Sequence, residues 1–434
     1  MSPLVAASVP WVFLLAALVG AWFTWNAYRP VYRPAPLAAM SFFAGWLTTE
    51  LAAHHVAWQV AMTVLFVAAG ALAAWPGWVA LGISLVSWAY LLKALLVARR
   101  AEEVVERALR DGLGGGYRGE IRPAVGARLA PALDWKQLAL PFPVRHGEVT
   151  RVRDVEYARG PGYRLRLDVY HHRDRPAKAP VLLQIHGGGW VVGSKNEQGL
   201  PLMLQLASRG WVCVSIDYRL SPRATFPDPL IDCKRAVAWI REQVAGYGGD
   251  PDLVVVTGGS AGGHLAALVA LTANEPAYQP GFEDVDTGVR ACVSFYGVYD
   301  FTDRHRHYRN PGLAHLLQRR VMKAALDEAR DAYEKASPMS LVRPGAVPPF
   351  FVVHGDRDTL VPVAEARQFA ALLREAAPGA VVYAEIPGAQ HAFEIFPSLR
   401  TTFVLHGVER FLAWVVSRHV GAPGDAGTGE AAAG

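Results

Sequence analysis

The sequence predicts an α/β domain, built on an eight-stranded and mostly parallel sheet with helices on both faces, preceded by an all-α transmembrane region. Three observations carry this reading. β-rich runs alternate with helix-length stretches after Val149, the first hundred residues are almost free of charge, and a glycine-flanked serine, Ser260, joins a strand-like run to a helix-like one.

Hydrophobic residues make up 52% of the 434, and the excess lies at the N-terminus. Between Met1 and Ala98 only Arg29, Arg33, Glu50 and Lys93 carry a formal side-chain charge, far fewer than a soluble domain shows. Residues 9–28 form an uncharged apolar run long enough to cross a bilayer as a helix, with no Lys or Arg ahead of it to mark a signal peptide. Residues 56–75 and 78–98 are two further runs, joined at Trp75-Pro76-Gly77-Trp78, which reads as a hairpin turn. Residues 37–53 are shorter and contain Glu50, with His54-His55 just beyond. They read as interfacial or re-entrant, with all three ionisable groups at headgroup level. The clusters Arg29/Arg33 and Arg99-Arg100 flank the runs, and the positive-inside rule places both in the cytoplasm. The expectation is a multi-pass protein whose residues 1–100 make about three spans, with a cytoplasmic catalytic domain. A fourth span through 37–53 would turn that domain outward.

Residues 101–148 are polar and broken by Gly and Pro, and read as a linker and possible cap segment. The cluster Asp111-Gly-Leu-Gly-Gly-Gly116 lacks the Lys-Ser/Thr of a phosphate loop. Residues 421–434 are Ala/Gly-rich and read as a disordered tail. The net charge of +5 comes with interleaved acids and no zinc-finger or aromatic-basic signature, so no nucleic-acid partner is expected. Cys213, Cys233 and Cys292 are odd in number and lie in apolar surroundings, as buried free thiols do. No paired His or Cys spacing suggests a metal, and no cofactor is expected.

Strands are expected at 150–157, 163–170, 181–186, 211–217, 253–257, 291–296, 350–354 and 381–386. Arg159-Gly160-Pro161-Gly162 makes a hairpin of the first two, and the longer later connections demand parallel crossovers.

Gly258-Gly259-Ser260-Ala261-Gly262 stands between Leu253-Val-Val-Val-Thr257 and an Ala/Leu helix, which is the strand, turn and helix context of a nucleophile elbow. The backbone there is strained and crowded, so its neighbours must be small, and the helix N-terminus favours developing negative charge. His186-Gly187-Gly188-Gly189-Trp190 closes another strand, and its bare glycines let N–H groups approach a ligand. Gly188, Gly189 and Ala261 are the candidate oxyanion-hole donors, and His186 reads as a brace for the loop. A serine nucleophile needs a base and an orienting acid, in the chain order Ser, Asp or Glu, His. His391 ends the last strand as the base. Asp356 and Asp358 end the strand before it, and either satisfies the geometry, the other being a solvated loop carboxylate. His264, His354, His305 and His307 have structural explanations: a helix position, a strand end and a basic loop.

Together these motifs resemble the bacterial hormone-sensitive-lipase-like family of α/β hydrolases over residues 149–419. The resemblance is carried by His186-Gly-Gly-Gly-Trp190, Asp217-Tyr-Arg-Leu-Ser-Pro222 with Phe226-Pro227, Gly258-Gly-Ser-Ala-Gly-Gly263, His354-Gly-Asp-Arg-Asp-Thr-Leu360 and His391. It implies the α/β-hydrolase fold over a catalytic domain at 149–420, selects Asp358 as the acid, and matches the same oxyanion donors. The family's usual carboxylate just before the nucleophile is Gly259 here, and the acid after Ser-Pro is Arg223. A helical cap is also implied, with 101–148 and 301–340 available for it; the latter carries His305, Arg306, His307, Arg309, Arg319 and Arg320, as a solvated cap face or one meeting lipid headgroups would. The implied activity is that of a membrane-anchored serine carboxylic-ester hydrolase, an esterase or lipase acting on an ester or lipid through an acyl-enzyme on Ser260. A membrane-associated hydroxyl as acceptor would make it an acyltransferase, and a catalytically silent membrane scaffold is the alternative from another class.

Overall fold

A computed structural model of the chain describes residues 3–129, 133–142, 145–175 and 177–420; the tail expected at 421–434 lies outside the described residues. The β-rich runs become β1 (Val149–Gly160), β2 (Tyr163–His172), β3 (Ala179–Ile185), β4 (Val212–Ile216), β5 (Gly249–Gly259), β6 (Ala291–Phe295), β7 (Phe350–Gly355) and β8 (Val381–Ile386). They form one eight-stranded sheet in the order β1-β2-β4-β3-β5-β6-β7-β8. β2 is antiparallel to both β1 and β4, and the remaining pairs are parallel. Every residue of β4, β6 and β7 is buried, as expected of strands covered on both faces. Ile185 pairs with Gly258, and Gly259 with Phe295, so β3, β5 and β6 end together at one edge.

The longer helices are α1 (Pro3–Tyr28), α2 (Ala35–Glu50), α3 (Ala52–Ala68), α4 (Trp75–Leu113), α5 (Leu200–Ser208), α6 (Asp228–Gln243), α7 (Ala261–Leu271), α8 (Val363–Ala376) and α9 (Leu399–Val420). Apolar side chains of α6, α7 and α8 pack on one face of the sheet, and those of α5, α9 and the second half of α4 on the other.

That second half of α4 departs from the expected linker. The helix passes through Arg99-Arg100 without a break and ends at Leu113. Ala101, Val105, Ala108 and Leu109 recur at helical spacing and are buried, while Glu103–Arg107 and Glu106–Arg110 pair along the helix at 2.6 and 3.0 Å. Gly112 lies so close to the sheet that a Cβ there would come within 2.5 Å of the Val381 carbonyl. The expected hairpin turn also shifts. Gly70, at φ +92°, makes the turn, a single 3-10 turn follows at Ala71–Ala73, and Pro76 falls in the first turn of α4, where its missing N–H costs nothing.

Ala7–Tyr28 and Trp75–Leu113 are long and apolar enough to cross a membrane, and α2 and α3 form a pair bent by 88°. Trp11 meets Trp75 at 5.3 Å between ring centroids, Phe13 meets Phe66 at 5.1 Å, and Tyr28 meets Tyr90 at 5.4 Å. α1 and α4 therefore run parallel toward the sheet domain, and α3 runs back against them. α2 lies across their end on that domain.

Glu50 is enclosed by protein. It is buried, its Oε2 accepts the Ser398 hydroxyl at 2.7 Å, and its Oε1 forms an ion pair with the buried Arg400 of α9. A carboxylate this far from water is tolerated because the opposite charge lies beside it. Arg400→Met, which leaves Glu50 alone, is expected to destabilise the protein by about 3–5 kcal/mol. Thermal unfolding of the detergent-solubilised protein should show a clear drop in melting temperature, with most of it restored in the Glu50→Gln/Arg400→Met double variant.

Candidate active site

Ser260 stands between β5 and α7 with φ 59° and ψ −122°, a backbone conformation that non-glycine residues rarely adopt. Its neighbours leave no room for side chains: a Cβ on Gly258 would lie 2.5 Å from the Gly262 carbonyl carbon, and one on Gly262 would lie 2.1 Å from the Ile185 carbonyl oxygen. The Ser260 N–H donates to the Phe295 carbonyl at 3.0 Å, which ties the turn to β6. The serine thus stands at the N-terminus of an eleven-residue helix, where the dipole favours negative charge.

The glycine loop after β3 abuts this turn. Gly188 has φ +107°, and a Cβ there would lie 2.0 Å from the Val192 carbonyl oxygen. His186 braces the loop: its ring stacks on Tyr218 at 4.3 Å, and its Nδ1 lies 2.7 Å from the Gly187 carbonyl oxygen. His264 is also structural. Trp190 Nε1 donates to its Nδ1 at 3.2 Å, its Nε2 lies 2.7 Å from the Ala336 carbonyl oxygen, and burial pushes its pKa down to about 3. With both ring nitrogens engaged and no charge to carry, it has no proton to move.

The two aspartates separate clearly. Asp358 is buried, with Oδ2 at 2.6 Å from His391 Nδ1 and Oδ1 accepting the N–H groups of Leu360 and Val361 at 2.8 Å each. Asp356 is exposed and accepts the Gly388 N–H at 2.7 Å. Burial alone would push the Asp358 carboxyl up. The positive charge available on His391 and the hydrogen bonds from His354 and His391 outweigh it and hold the group well below the usual carboxylate range. His354 is therefore more than a strand end, since its Nε2 lies 3.1 Å from the same Oδ2. Gln390 clamps the two loops by accepting the Thr359 N–H at 2.8 Å and the His391 N–H at 3.0 Å.

Tyr296 links the elbow to the imidazole. Its ring centroid lies 4.5 Å from that of His391, and a Cβ on Gly259 would come within 2.7 Å of its hydroxyl. That hydroxyl donates to Glu394, whose pKa burial pushes up to about 7, the hydrogen bond acting in the other direction. From above, Phe42 of α2 meets the His391 ring edge-on at 6.0 Å, and Leu316 of the 301–340 segment lies against Gly189. Covering residues come from α2 as well as from 301–340, and Arg304, His305, Arg306, Arg319 and Arg320 are exposed. Tyr296, Glu394 and Phe42 lie in no motif that marks them, and His354 opens a motif that does not reveal its contact with Asp358. Gln390, beside His391, was the one whose position offered a signal.

A buried carboxylate on one imidazole nitrogen, a strained serine and a loop of bare N–H groups suit acyl transfer through a covalent intermediate. Among the described residues no group of three His, Cys, Asp or Glu is placed to hold a metal ion.

The BD-FAE family matches residues 167–373. The chain is 41% identical over 426 residues to the probable carboxylic ester hydrolase LipM of Mycobacterium tuberculosis, covering 95% of this chain and 96% of that one. The esterase LipQ of the same organism is 39% identical, over 88% of this chain and 86% of its own. Among solved structures, the propionate-bound esterase Est2 of Thermogutta terrifontis is 27% identical with a TM-score of 0.47, covering 56% of this chain and 85% of that one.

Of the two aspartates only Asp358 meets His391, so if these two belong to a catalytic triad, Asp358→Asn is expected to lower kcat by roughly 10³–10⁴-fold. Asp356→Asn should stay within about tenfold of the parent, since it removes only a contact to a loop N–H. Steady-state hydrolysis of 4-nitrophenyl butyrate by the two variants measures the order.

Proposed function

We propose, since this chain belongs to the hormone-sensitive-lipase-like α/β hydrolases and is a carboxylic ester hydrolase, that Ser260, His391 and Asp358 perform the hydrolysis and that the N-terminal helices hold the enzyme at a membrane. The 2.6 Å bond between Asp358 and His391 Nδ1 carries the reading of the chemistry, because it leaves Nε2 as the nitrogen free to exchange a proton. Ser260 Oγ bonds to the ester carbonyl carbon while its proton passes to His391 Nε2. The N–H groups of Gly188, Gly189 and Ala261 hold the resulting oxyanion. The carbonyl carbon then loses the alcohol oxygen, which leaves with the proton from His391. Water repeats the sequence, bonding to the acyl carbon as it gives its proton to His391; Ser260 takes the proton back and the acid is released.

The membrane reading rests on helix direction. α1, α3 and α4 lie side by side and α2 lies across their inner end, which supports three crossings, the N-terminus on the side opposite the catalytic domain. Arg29, Arg33, Arg99 and Arg100 stand at the end near that domain, which by the positive-inside rule supports a cytoplasmic catalytic domain.

Ser260→Ala is expected to lower ester hydrolysis on the order of 10⁴-fold or more with thermal unfolding unchanged. Activity within tenfold of the parent in a clean preparation would remove Ser260 from the mechanism. For the topology, the native cysteines are buried, so Asp284→Cys supplies an exposed thiol on the catalytic domain. A membrane-impermeant maleimide should label it only after lysis; labelling in intact cells would place the enzyme outside.

A further inference from the structure

The sequence of α2 makes a helix with two unlike apolar faces. Ala38, Ser41, Phe42, Gly45, Thr48 and Thr49 are buried against the rest of the protein, whereas Leu37, Met40, Phe43 and Leu47 are exposed, Phe43 by 58%. An outer face of this kind on a water-exposed cap would be an unfavourable patch, and it suits contact with hydrocarbon. The helix is pinned from several directions. Thr359, next to the acid, donates its hydroxyl to the Ala38 carbonyl at 3.1 Å; Asn26 Nδ2 donates to the Ser41 carbonyl at 2.8 Å; and Glu50 holds the far end through Arg400.

The inner face carries a row of aromatic rings that starts at the base. Phe42 is edge-on to His391, Trp46 stacks on Phe42 at 5.3 Å, Phe396 stacks on Trp46 at 4.8 Å, and Phe142 meets Phe396 edge-on at 4.8 Å. The row ends in the open: Phe142 is 55% exposed, and Trp135 and Leu140 near it are exposed too. An ester is divided by the catalytic geometry. Its alcohol oxygen must meet the nitrogen of His391 that protonates it, so side chains ringing the imidazole border the alcohol half. Leu316, at the Gly189 end, stands on the oxyanion side instead.

We propose that Phe42 and Trp46 of α2 form the subsite for the alcohol half of the ester, and that this half is an extended apolar group reaching the site from the membrane along the row Phe42, Trp46, Phe396 and Phe142. The membrane-proximal helix is then a specificity element and not only an anchor. This rests on the proposed roles of Ser260 and His391.

The test uses the full-length protein in detergent micelles and two substrate series followed by proton release. One holds the acyl group as butyrate and varies the alcohol as methyl, butyl and octyl; the other holds the alcohol as 4-nitrophenol and varies the acyl chain from acetate to octanoate. The parent should favour octyl over methyl butyrate in kcat/KM. Phe42→Ala and Trp46→Ala should each reduce that preference by about tenfold, the scale of a few lost apolar contacts, and shift the acyl-chain preference by less than about twofold. Phe42→Leu, which keeps most of the volume, should fall between them and serves if the alanine variant does not fold. An unchanged alcohol preference, a shift confined to the acyl series, or a parent that prefers methyl butyrate would each overturn the proposal. Retained hydrolysis in Ser260→Ala would instead strike the underlying assignment of the site.

Discussion

The buried carboxylate of Asp358 is the constraint around which the catalytic half is organised. A carboxylate out of water is costly unless donors surround it, and this one has four: two loop N–H groups, His391 and His354. Those donors converge because β7 and β8 are neighbours ending at one edge, with Asp358 following one strand and His391 the next. The same edge carries the elbow, through the pairing of β5 with β6. The parallel order of the sheet thus gathers Ser260, Asp358 and His391, the three residues of the proposed triad, at one edge although they are far apart in the chain.

The acid loop is also where the two halves of the protein hold each other. Arg357 donates to the Ala27 carbonyl and lies over the Tyr28 ring, and Thr359 bonds to Ala38. Residues on both sides of Asp358 therefore grip α1 and α2. A shift of those helices would be felt first at the carboxylate and next at the imidazole it orients. With Phe42 on the other side of it, His391 sits between the Asp358 loop and the helix that this loop holds. α4 completes the connection by continuing as one rigid helix from the apolar bundle to the far face of the sheet.

The features legible in the sequence were those written locally. Each of the eight strands has its own β-branched or aromatic run, and the Ser260 turn has its glycines beside it. The end of α4 was obscured because the composition changes abruptly at Arg99-Arg100 while the apolar spacing through Ala101, Val105, Ala108 and Leu109 continues unchanged. Composition outweighed periodicity there, and periodicity is the better guide to a helix. The ion pair of Glu50 is not legible because its partner, Arg400, is 350 residues away and nothing near either one announces it. His354 looked like a strand terminus, and only the return of the Asp358 loop shows what it touches. Choosing Asp358 over Asp356 needed the family resemblance, for the spacing of the two acids alone suits both.

Gly259 shows how a departure from the family pattern can follow from packing. The family usually places a carboxylate just before its nucleophile. Here the space a side chain at 259 would enter is held by the Tyr296 hydroxyl, 2.7 Å from where a Cβ would be, and Tyr296 in turn donates to Glu394. A side chain at 259 would require the Tyr296 ring to shift. The chain nonetheless keeps a carboxylate beneath the site, delivered from the loop after β8 and screened from His391 by an aromatic ring rather than presented to it. Burial raises its pKa to about 7, so it adds less negative charge beside the imidazole than an exposed glutamate would. Asp358 remains the carboxylate that meets the His391 ring directly, and Tyr296, set between Glu394 and His391, keeps the two carboxylates apart.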